Sequence, residues 1–370
     1  MNLDDSPADN VRRRLLAVTA AVLCARPALV RATPNPLKAA FVYAGPVGTS
    51  GWNFSHDLAR KAVERSFGMR LRTQIVESVD EGNSSERVFR DLIAQDVRLI
   101  FATSFGYMSS ALKVAAEFPD VKFEHATGLK TAANLRTYDV RSYEAAYLAG
   151  IIAGAQTRTN QIGVVGAMPT PEVVRMINAL TMGALSTNPA AVVRVVWVDD
   201  WANPPRETEA AQTLVNQNCD VLMQTTDSSA VLQVAERLGK QGFGLSSDMS
   251  RLAPHAHLGS AIFDWTPYYS KAIRDVLEGH WSPGRVWWGI KEGLVDLVGV
   301  PDRVPAAVRL RVETIRSGLR DGSFSIWQGP LQDNTGKIVL ANGQRASDDF
   351  LQHMQFYVKG VQGRVPEAGR

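Results

Sequence analysis

Predicted strands and helices alternate along most of this sequence, and that alternation restricts the chain to a few folds. From Leu37 onward, short apolar runs with β-branched and aromatic residues are each followed by a longer stretch with helical spacing. Strands are predicted at 37–44, 71–77, 97–103 and 121–126, with helices over 54–65 and 84–94 and a third ending at 117. Repeated strand–helix units with right-handed crossovers predict a parallel sheet with helices on both faces.

A second unit with the same alternation follows a predicted helix at 143–155. Its strands are predicted at 161–165, 191–198, 220–224, 243–246 and 257–263, and its helices at 171–185, 204–215, 229–238 and 268–277. The remainder is mixed, with short strands at 287–288 and near 294–298 and 324–327, and a last helix at 347–357. Two tandem α/β lobes are typical of a hinged binding protein. A dehydrogenase or kinase would need a phosphate-binding glycine motif, and neither common form follows any predicted strand.

Length and composition agree with two folded lobes. The chain has 370 residues, 45% of them hydrophobic and 21% charged, as in globular proteins. The formal charge of +3 is small and the basic residues are dispersed, which argues against a nucleic-acid surface. Cys24 and Cys219 lie far apart in the sequence, so no disulfide framework is indicated.

Residues 1–35 are predicted to be an export signal that is removed. Arg12–Arg14 precede an apolar run at 15–25, and Ala32 is a suitable cleavage position. A lipid anchor at Cys24 is less favoured than simple cleavage, because the preceding Leu23 is bulky. No later run approaches the ~18 apolar residues that a membrane span requires. We therefore expect a soluble protein in the periplasm.

The loop after the first strand is the strongest candidate for a binding site. Turn-forming residues at 45, 46, 48 and 51 lead to Trp52 and Asn53, directly before the predicted helix. Open α/β sheets bind ligands at the carboxyl ends of their strands. A flat indole beside an amide suits a planar small molecule with hydrogen-bonding groups. Alternatively, Trp52 covers the edge of a core and Asn53 caps the helix.

Other aromatic and acidic residues follow the remaining strands. The candidates for ligand contact are Phe105, His125, Trp201, Asp227, Asp248 and Trp265, together with Trp52 and Asn53. Several rings and two carboxylates around one crevice suit a planar heterocycle that donates N–H groups. A base–aromatic stack contributes ~1–3 kcal/mol, and a hydrogen bond to a charged acceptor ~1.5–3 kcal/mol.

Structural explanations exist for several of these residues. Asp227 and Asp248 would also serve as helix caps, and His125 as a core histidine. His255 and His257 have no further ligands nearby in the sequence, so no metal site is indicated. The crevice contains serine, histidine and aspartate, but no nucleophile elbow. The sequence thus predicts ligand binding without catalysis, cofactor or metal.

From Leu37 to its C-terminus the chain resembles the basic membrane protein family of ABC-transporter solute-binding proteins. The resemblance is carried by the order of Trp52-Asn53, 118–123 (Phe-Pro-Asp-Val-Lys-Phe), 143–150 (Tyr-Glu-Ala-Ala-Tyr-Leu-Ala-Gly), 162–166 (Ile-Gly-Val-Val-Gly) and 197–204. It implies a two-lobed type I periplasmic-binding-protein fold with doubly wound parallel sheets and the ligand in the interlobe cleft. Characterised members largely bind purine nucleosides.

Departures from the nucleoside-binding pattern favour a free base. Ala44 and Thr127 stand where that branch carries aspartates, and Phe263 follows Ser260-Ala261-Ile262 where a ribose-holding lysine is expected. Trp52 replaces the stacking phenylalanine, and Asn53 is retained. The segments 104–107, 123–128 and 226–228 resemble the branch associated with adenine, so the resemblance ranks adenine first.

The resemblance also implies an organisation and partners. We expect a signal peptide at 1–35, an N-terminal lobe at 36–140 and a second lobe at 141–262. Residues 263–370 are expected to cross back to the first lobe and then complete the second. The protein is predicted to be a monomer that closes on a purine and delivers it to an inner-membrane ABC permease. The alternatives are a purine-nucleoside binder and an exported sensor for a membrane kinase.

Overall fold

The structure, a computed structural model, describes residues 35–366. The predicted export signal lies outside these residues, apart from Asn35. Lobe 1 is built on six strands: β1 (Leu37–Val42), β2 (Leu71–Val76), β3 (Leu99–Ala102), β4 (Lys122–Ala126), β5 (Leu135–Val140) and β11 (Arg285–Trp288). They form a parallel sheet with the spatial order β11-β5-β4-β3-β1-β2. Four helices pack on this sheet: α1 (Gly51–Phe67), α2 (Asn83–Ala94), α3 (Met108–Glu117) and α8 (Thr266–Leu277).

Lobe 2 repeats this plan with a second six-stranded sheet. Its strands are β6 (Gln161–Gly166), β7 (Val192–Trp197), β8 (Val221–Gln224), β9 (Gln241–Ser246), β10 (His257–Phe263) and β12 (Val295–Val298). Their spatial order is β12-β10-β9-β8-β6-β7, and only β12 runs antiparallel to its neighbour in this sheet. The accompanying helices are α4 (Ser142–Gln156), α5 (Pro171–Leu185), α6 (Pro204–Asn216), α7 (Ala230–Arg237) and α9 (Ala306–Asp321). The two parallel-dominated sheets confirm the predicted α/β fold class.

The chain passes between the two sheets three times. It leaves lobe 1 at Arg141 and returns through Asp264-Trp265. It leaves again through residues 289–294, between β11 and β12. Both lobes are therefore built from discontinuous parts of the sequence and are joined by three chain connections.

The most completely buried helix of the described chain is α4, which has no polar face. Every residue from Ser142 to Gly154 is buried, as expected for a helix that is apolar all round. It packs on α5 with backbone against backbone. A Cβ atom on Gly150 would lie 2.1 Å from the carbonyl oxygen of Leu180, and one on Gly183 would lie 2.2 Å from that of Tyr147. Only glycine permits this separation of the two helices.

The C-terminal segment, residues 322–366, packs on α5 of lobe 2. It contains the short strands β13 (Leu331–Gln332) and β14 (Ile338–Leu340) and the short helix α10 (Asp348–Gln352). Asn178 of α5 donates to the carbonyl of Phe356 (2.8 Å) and accepts from the N–H of Val358 (3.0 Å). Arg175 of the same helix donates to the carbonyl of Leu351 (2.7 Å). These buried bonds fix the segment to lobe 2.

The structure differs from the predicted elements mainly where the apolar pattern is interrupted. Strand β5 was not predicted because the charged residue Arg136 interrupts its apolar pattern. In the structure Arg136 is buried and forms an ion pair with Glu124 at 2.7 Å. Helix α9 was not predicted because it buries only Val312 and Gly318 and therefore carries a thin apolar stripe.

Two further predictions in this region are wrong. The strand predicted near 324–327 is irregular backbone, although Ile326 and Trp327 are buried. The last helix covers only Asp348–Gln352 and not 347–357. Apolar residues enter the core there without regular secondary structure. Among residues 35–366, no helix is both long and apolar enough to span a bilayer.

We expect Gly183→Ala to destabilise the protein, although alanine normally stabilises a helix relative to glycine by ~0.5–1 kcal/mol. The added methyl group would collide with the Tyr147 carbonyl, and overpacking of this kind costs ~1–3 kcal/mol. Denaturant unfolding of the variant measures the change. Gly150→Ala tests the same contact from the other helix and should also lower stability. An increase in stability for either variant would contradict the close contact.

Candidate functional site

The N-terminus of α1 meets lobe 2 at the cleft between the sheets. The backbone N–H of Gly51 donates to the Ser247 hydroxyl at 3.0 Å, and that of Trp52 donates to the carboxylate of Asp227. Ser247 follows β9 and Asp227 follows β8, so both acceptors lie at the carboxyl ends of lobe 2 strands. The loop and helix start predicted as the site therefore line the interlobe cleft.

The close approach depends on Gly51. Its φ is +88°, and a Cβ atom at this position would lie 2.3 Å from the carbonyl oxygen of Asp227 and 2.5 Å from its Oδ1. Any larger residue would hold α1 away from lobe 2. The helix was predicted to begin at Phe54; it begins at Gly51, so that the Trp52 and Asn53 backbone amides belong to its first turn.

The indole of Trp52 is half-buried and fixed in orientation. Its Nε1 donates to the carbonyl of Thr103 at the end of β3 (2.7 Å). Three rings meet it edge-on, at centroid distances of 4.6 Å for His56, 5.1 Å for Trp265 and 6.0 Å for Phe263. No ring among residues 35–366 stacks parallel on it. The orientation of the Trp52 ring is thus fixed, and no described ring is stacked on it.

The residues behind Trp52 form a buried aromatic cluster. Trp265, predicted as a ligand contact, is fully buried, stacks on His56 at 4.3 Å and donates to the Ser55 hydroxyl at 3.0 Å. His56 bonds to the Tyr269 hydroxyl through Nδ1, and its Nε2 has no partner within the described residues. Burial lowers the pKa of His56 far below its usual range, so the ring is neutral. This cluster supports Trp52 from lobe 1.

A buried glutamate organises the loop that carries Asp227. Glu207, on the first turn of α6, accepts bonds from the Thr226 hydroxyl (2.8 Å), the Ser228 hydroxyl and the Asn203 N–H (2.9 Å). The N–H of Asp227 donates to the carbonyl of Trp201 at 2.9 Å. The backbone of Asp227 is therefore fixed by its own bond to Trp201 and by the bonds of Glu207 to the residues on either side.

Two predicted aromatic residues lie at the surface. Phe105 is 44% exposed and Trp201 is 37% exposed. The backbone around Phe105 is fixed by Glu81, which accepts from the Ser104 hydroxyl and the Gly106 N–H. Both rings remain accessible to a ligand.

The Asn53 side chain donates to the carbonyl of Pro46 (3.3 Å) and so closes the glycine-rich loop.

His125 and Asp248 occupy different environments from the other predicted residues. His125 is fully buried, bonds to the Ser104 carbonyl (2.8 Å), and burial lowers its pKa to about 4. Asp248 is exposed and accepts from the Ser250 N–H at 2.9 Å. Partial burial raises its pKa, but this bond and the nearby His257 and Arg251 outweigh that effect and lower it. No hydrogen bond or ring contact joins either residue to Trp52 in the described part of the chain.

Sequence reasoning did not single out Ser247, Glu207 or His56. Each is a buried polar residue whose role depends on a partner distant in the sequence. Gly51 was noticed only as a turn former. The buried position of Glu207, on the first turn of α6 after a Pro-Pro pair, carries no local sequence signal.

Asp227→Asn should change how stability depends on pH. Burial, with Glu207 nearby, raises the pKa of Asp227 from 3.8 to about 7, even though the N–H groups of Trp52 and Asn53 favour the ionised form. The folded protein therefore retains a proton that the unfolded chain releases between about pH 4 and pH 7. This contribution favours folding at low pH and is lost as the pH rises through 7.

Unfolding free energies measured across this window should fall in the native protein relative to Asp227→Asn, by up to ~4 kcal/mol. Asp248→Asn is the matched control. The pKa of Asp248 is lowered, so its carboxylate is ionised in both states over the same window and no pH-dependent difference is expected. Parallel pH profiles for native protein and Asp227→Asn would contradict the raised pKa of this carboxyl group.

Comparison with known proteins identifies the family. The family described as "ABC transporter substrate-binding protein PnrA-like" matches residues 37–315. A purine-binding protein of Brucella abortus (strain 2308) is 41% identical over 331 residues, covering 90% of this chain and 94% of its own. A putative ABC transporter glucose-binding protein of Haloferax volcanii, TsgA13, is 38% identical and covers 89% of this chain and 81% of its own.

The solved structures agree on the fold. An ABC transporter solute-binding protein from Conexibacter woesei superposes with a TM-score of 0.66 at 21% identity, covering 78% of this chain and 98% of its own. This likeness confirms the periplasmic-binding-protein-like fold that the sequence predicted. The family and these relatives are solute-binding proteins and not enzymes. The chain therefore belongs to the PnrA-like family of ABC transporter substrate-binding proteins.

Proposed function

We propose that this protein binds a free purine base, with adenine as the preferred ligand, in the cleft beside Trp52. The observation that carries the proposal is the orientation of the Trp52 indole, which its bond to Thr103 and three edge-on rings hold in place. A fixed ring of this kind suits face-to-face stacking of a planar heterocycle, worth ~1–3 kcal/mol. The 41% identity to a protein named as purine-binding supports the same ligand class.

The surroundings of Trp52 favour a base without ribose. Phe263 occupies the position where the resemblance expects a ribose-holding lysine, and its ring packs against Trp52 at 6.0 Å. Ala44 has no polar side chain, and the Thr127 hydroxyl donates to the carbonyl of Ala126 at 2.7 Å. The three positions expected to bind the sugar of a nucleoside therefore offer no charged group for it.

The remaining contacts are proposed from exposure and chemistry. Phe105 and Trp201 are the accessible rings that would cover a base stacked on Trp52. The Asn53 amide donates one N–H to Pro46, and its oxygen and second N–H would bind the polar edge of the base. Closure of the lobes about the three connections would enclose the ligand, and the closed protein would pass it to a membrane permease. We further propose that the protein is exported to the periplasm and acts as a monomer.

A sugar is the second candidate ligand. The Haloferax volcanii relative, at 38% identity, is named as a putative glucose-binding protein. An aromatic surface such as Trp52 would also accommodate the apolar face of a pyranose ring. The two ligand classes differ in their requirements, because a sugar needs several hydrogen-bonding groups around its hydroxyls, whereas a base needs them only along one edge.

Thermal unfolding with a ligand panel distinguishes these candidates. A ligand that binds only the folded protein stabilises it by ~2.7 kcal/mol at one hundred times its Kd. We expect adenine to raise Tm by several degrees, with smaller or no shifts for adenosine, hypoxanthine and glucose. A larger shift with adenosine would contradict the free-base proposal, and a shift with glucose alone would replace it by the sugar proposal.

Trp52→Ala should abolish the adenine shift because the stacking surface is removed. Trp281→Ala is the matched control: this half-buried tryptophan bonds to Glu124 and lies over Lys122, at the amino end of β4 and away from the cleft. We expect it to lower the Tm of the free protein while leaving the adenine shift intact. An unchanged adenine shift in Trp52→Ala would place the ligand elsewhere.

A further inference from the structure

Within residues 35–366, the N–H groups of Gly51 and Trp52 at the start of α1 have their side-chain acceptors in lobe 2 and not in their own lobe. The residue before the helix, Ser50, makes no capping bond with its side chain, and the first turn contains no acidic residue. The first N–H groups of a helix need partners outside the helix. Here those of Gly51 and Trp52 receive them from Ser247 and Asp227 of lobe 2.

Both sides of the contact are shaped for it. On lobe 1, Gly51 leaves the space that the backbone and carboxylate of Asp227 occupy. On lobe 2, Glu207 and the Trp201 carbonyl fix the loop that presents Asp227. The carboxyl group of Asp227 has acceptor oxygens for the Trp52 N–H in both its neutral and its ionised form. The helix of one lobe is thus capped by a side chain of the other.

We propose that Asp227 is the positioning residue for closure: it caps α1 across the cleft, stabilises the closed arrangement of the lobes, and sets ligand affinity through Trp52. When the lobes separate, the N–H groups of Gly51 and Trp52 exchange their protein acceptors for water. The N–H that Asp227 caps and the ring that is proposed to stack on the ligand both belong to Trp52. Closure of the lobes therefore also affects the position of this ring. The part of this proposal that concerns affinity rests on the proposed function, whereas the part that concerns closure does not.

The size of the effect follows from capping energetics. Loss of an N-cap side chain weakens a helix contact by roughly tenfold in equilibrium terms. Asp227→Ala should shift the population towards the open form by about this factor. At pH 6, below the pKa of about 7 that burial gives Asp227, the native side chain is mostly protonated and hence neutral, as asparagine is. Asparagine caps helices about as well as aspartate, so Asp227→Asn should retain most of the closed population at this pH. A larger closed population in Asp227→Asn than in Asp227→Ala would show that the capping hydrogen bond stabilises closure, and not merely the presence of a side chain of this size.

Small-angle scattering and hydrogen exchange of the full chain measure closure without any ligand. We expect Asp227→Ala to increase the radius of gyration and to accelerate exchange of the Gly51 and Trp52 amides. Gly51→Ala should produce the same changes, because its methyl group blocks the approach while every side chain of lobe 2 is retained. The double variant should be no more open than either single variant, since both remove one contact.

Gly82→Ala is the matched control for Gly51→Ala. Gly82 lies directly before α2 of lobe 1, whereas Gly51 is the first residue of α1, and both have a positive φ (+129° for Gly82). A Cβ atom on Gly82 would meet no atom of the described residues within 4 Å. It should carry comparable backbone strain without opening the cleft. If Gly82→Ala and Gly51→Ala open the protein equally, backbone strain explains the effect and the proposal is overturned.

Adenine affinity, measured by calorimetry, gives the second readout. We expect about tenfold weaker binding for both Asp227→Ala and Gly51→Ala, and near-native binding for Asp227→Asn. Weakening by Asp227→Ala alone would mean that the carboxylate contacts the ligand directly, which overturns the proposal. If the native protein binds no adenine, the proposed ligand fails, while scattering and exchange still decide whether Asp227 governs closure. Unchanged scattering and exchange in Asp227→Ala would disprove that role.

Discussion

The N–H groups at the start of α1 need hydrogen-bond acceptors, and the opposite lobe provides them. This requirement accounts for several features that otherwise look unrelated. Gly51 is small because a carboxylate must approach the backbone there. Glu207 is fully buried because the Asp227 loop must hold its shape. Trp52 is held from both lobes, because its backbone N–H bonds to Asp227 and its ring N–H to Thr103.

Much of the fold could be predicted because apolar runs and helix signals coincide in this chain. Pro171–Leu185 agrees with the prediction at both ends: Thr170 caps the helix and Pro171 begins it. The buried strand His257–Phe263 also agrees. Prediction failed where a tertiary interaction replaces the apolar pattern. Arg136 in β5 can be buried because Glu124 on the neighbouring strand and Asp275 of α8 pair with its guanidinium group at 2.7 Å and 2.9 Å. Helix α9 needs few apolar residues because most of its surface faces water.

The candidate site was predictable in location and less so in arrangement. A glycine-rich loop between a strand and a helix places Trp52 and Asn53 at the cleft, since parallel strands direct their carboxyl ends to one edge. The hydrogen-bond partners across the cleft could not be inferred from the sequence, because the two residues of each pair are distant in the chain. Trp52 and Asp227 are 175 residues apart. The same limit applies to Trp265, whose burial behind Trp52 depends on packing with His56.

Neither sheet is made from a continuous stretch of sequence, and this affects the order in which the chain can finish folding. Lobe 1 receives its edge strand β11 from residues 285–288, after most of lobe 2. At the other end of the molecule, Val193 of β7 exchanges backbone bonds of 2.9 Å with Gly360 and Gln362. A chain synthesised from its N-terminus thus leaves the lobe 1 sheet incomplete until residues 285–288 appear, and lobe 2 incomplete until residues 360–362 appear. Neither lobe can therefore complete its sheet as an independent N-terminal unit, and the last steps of folding must wait for segments from the second half of the chain.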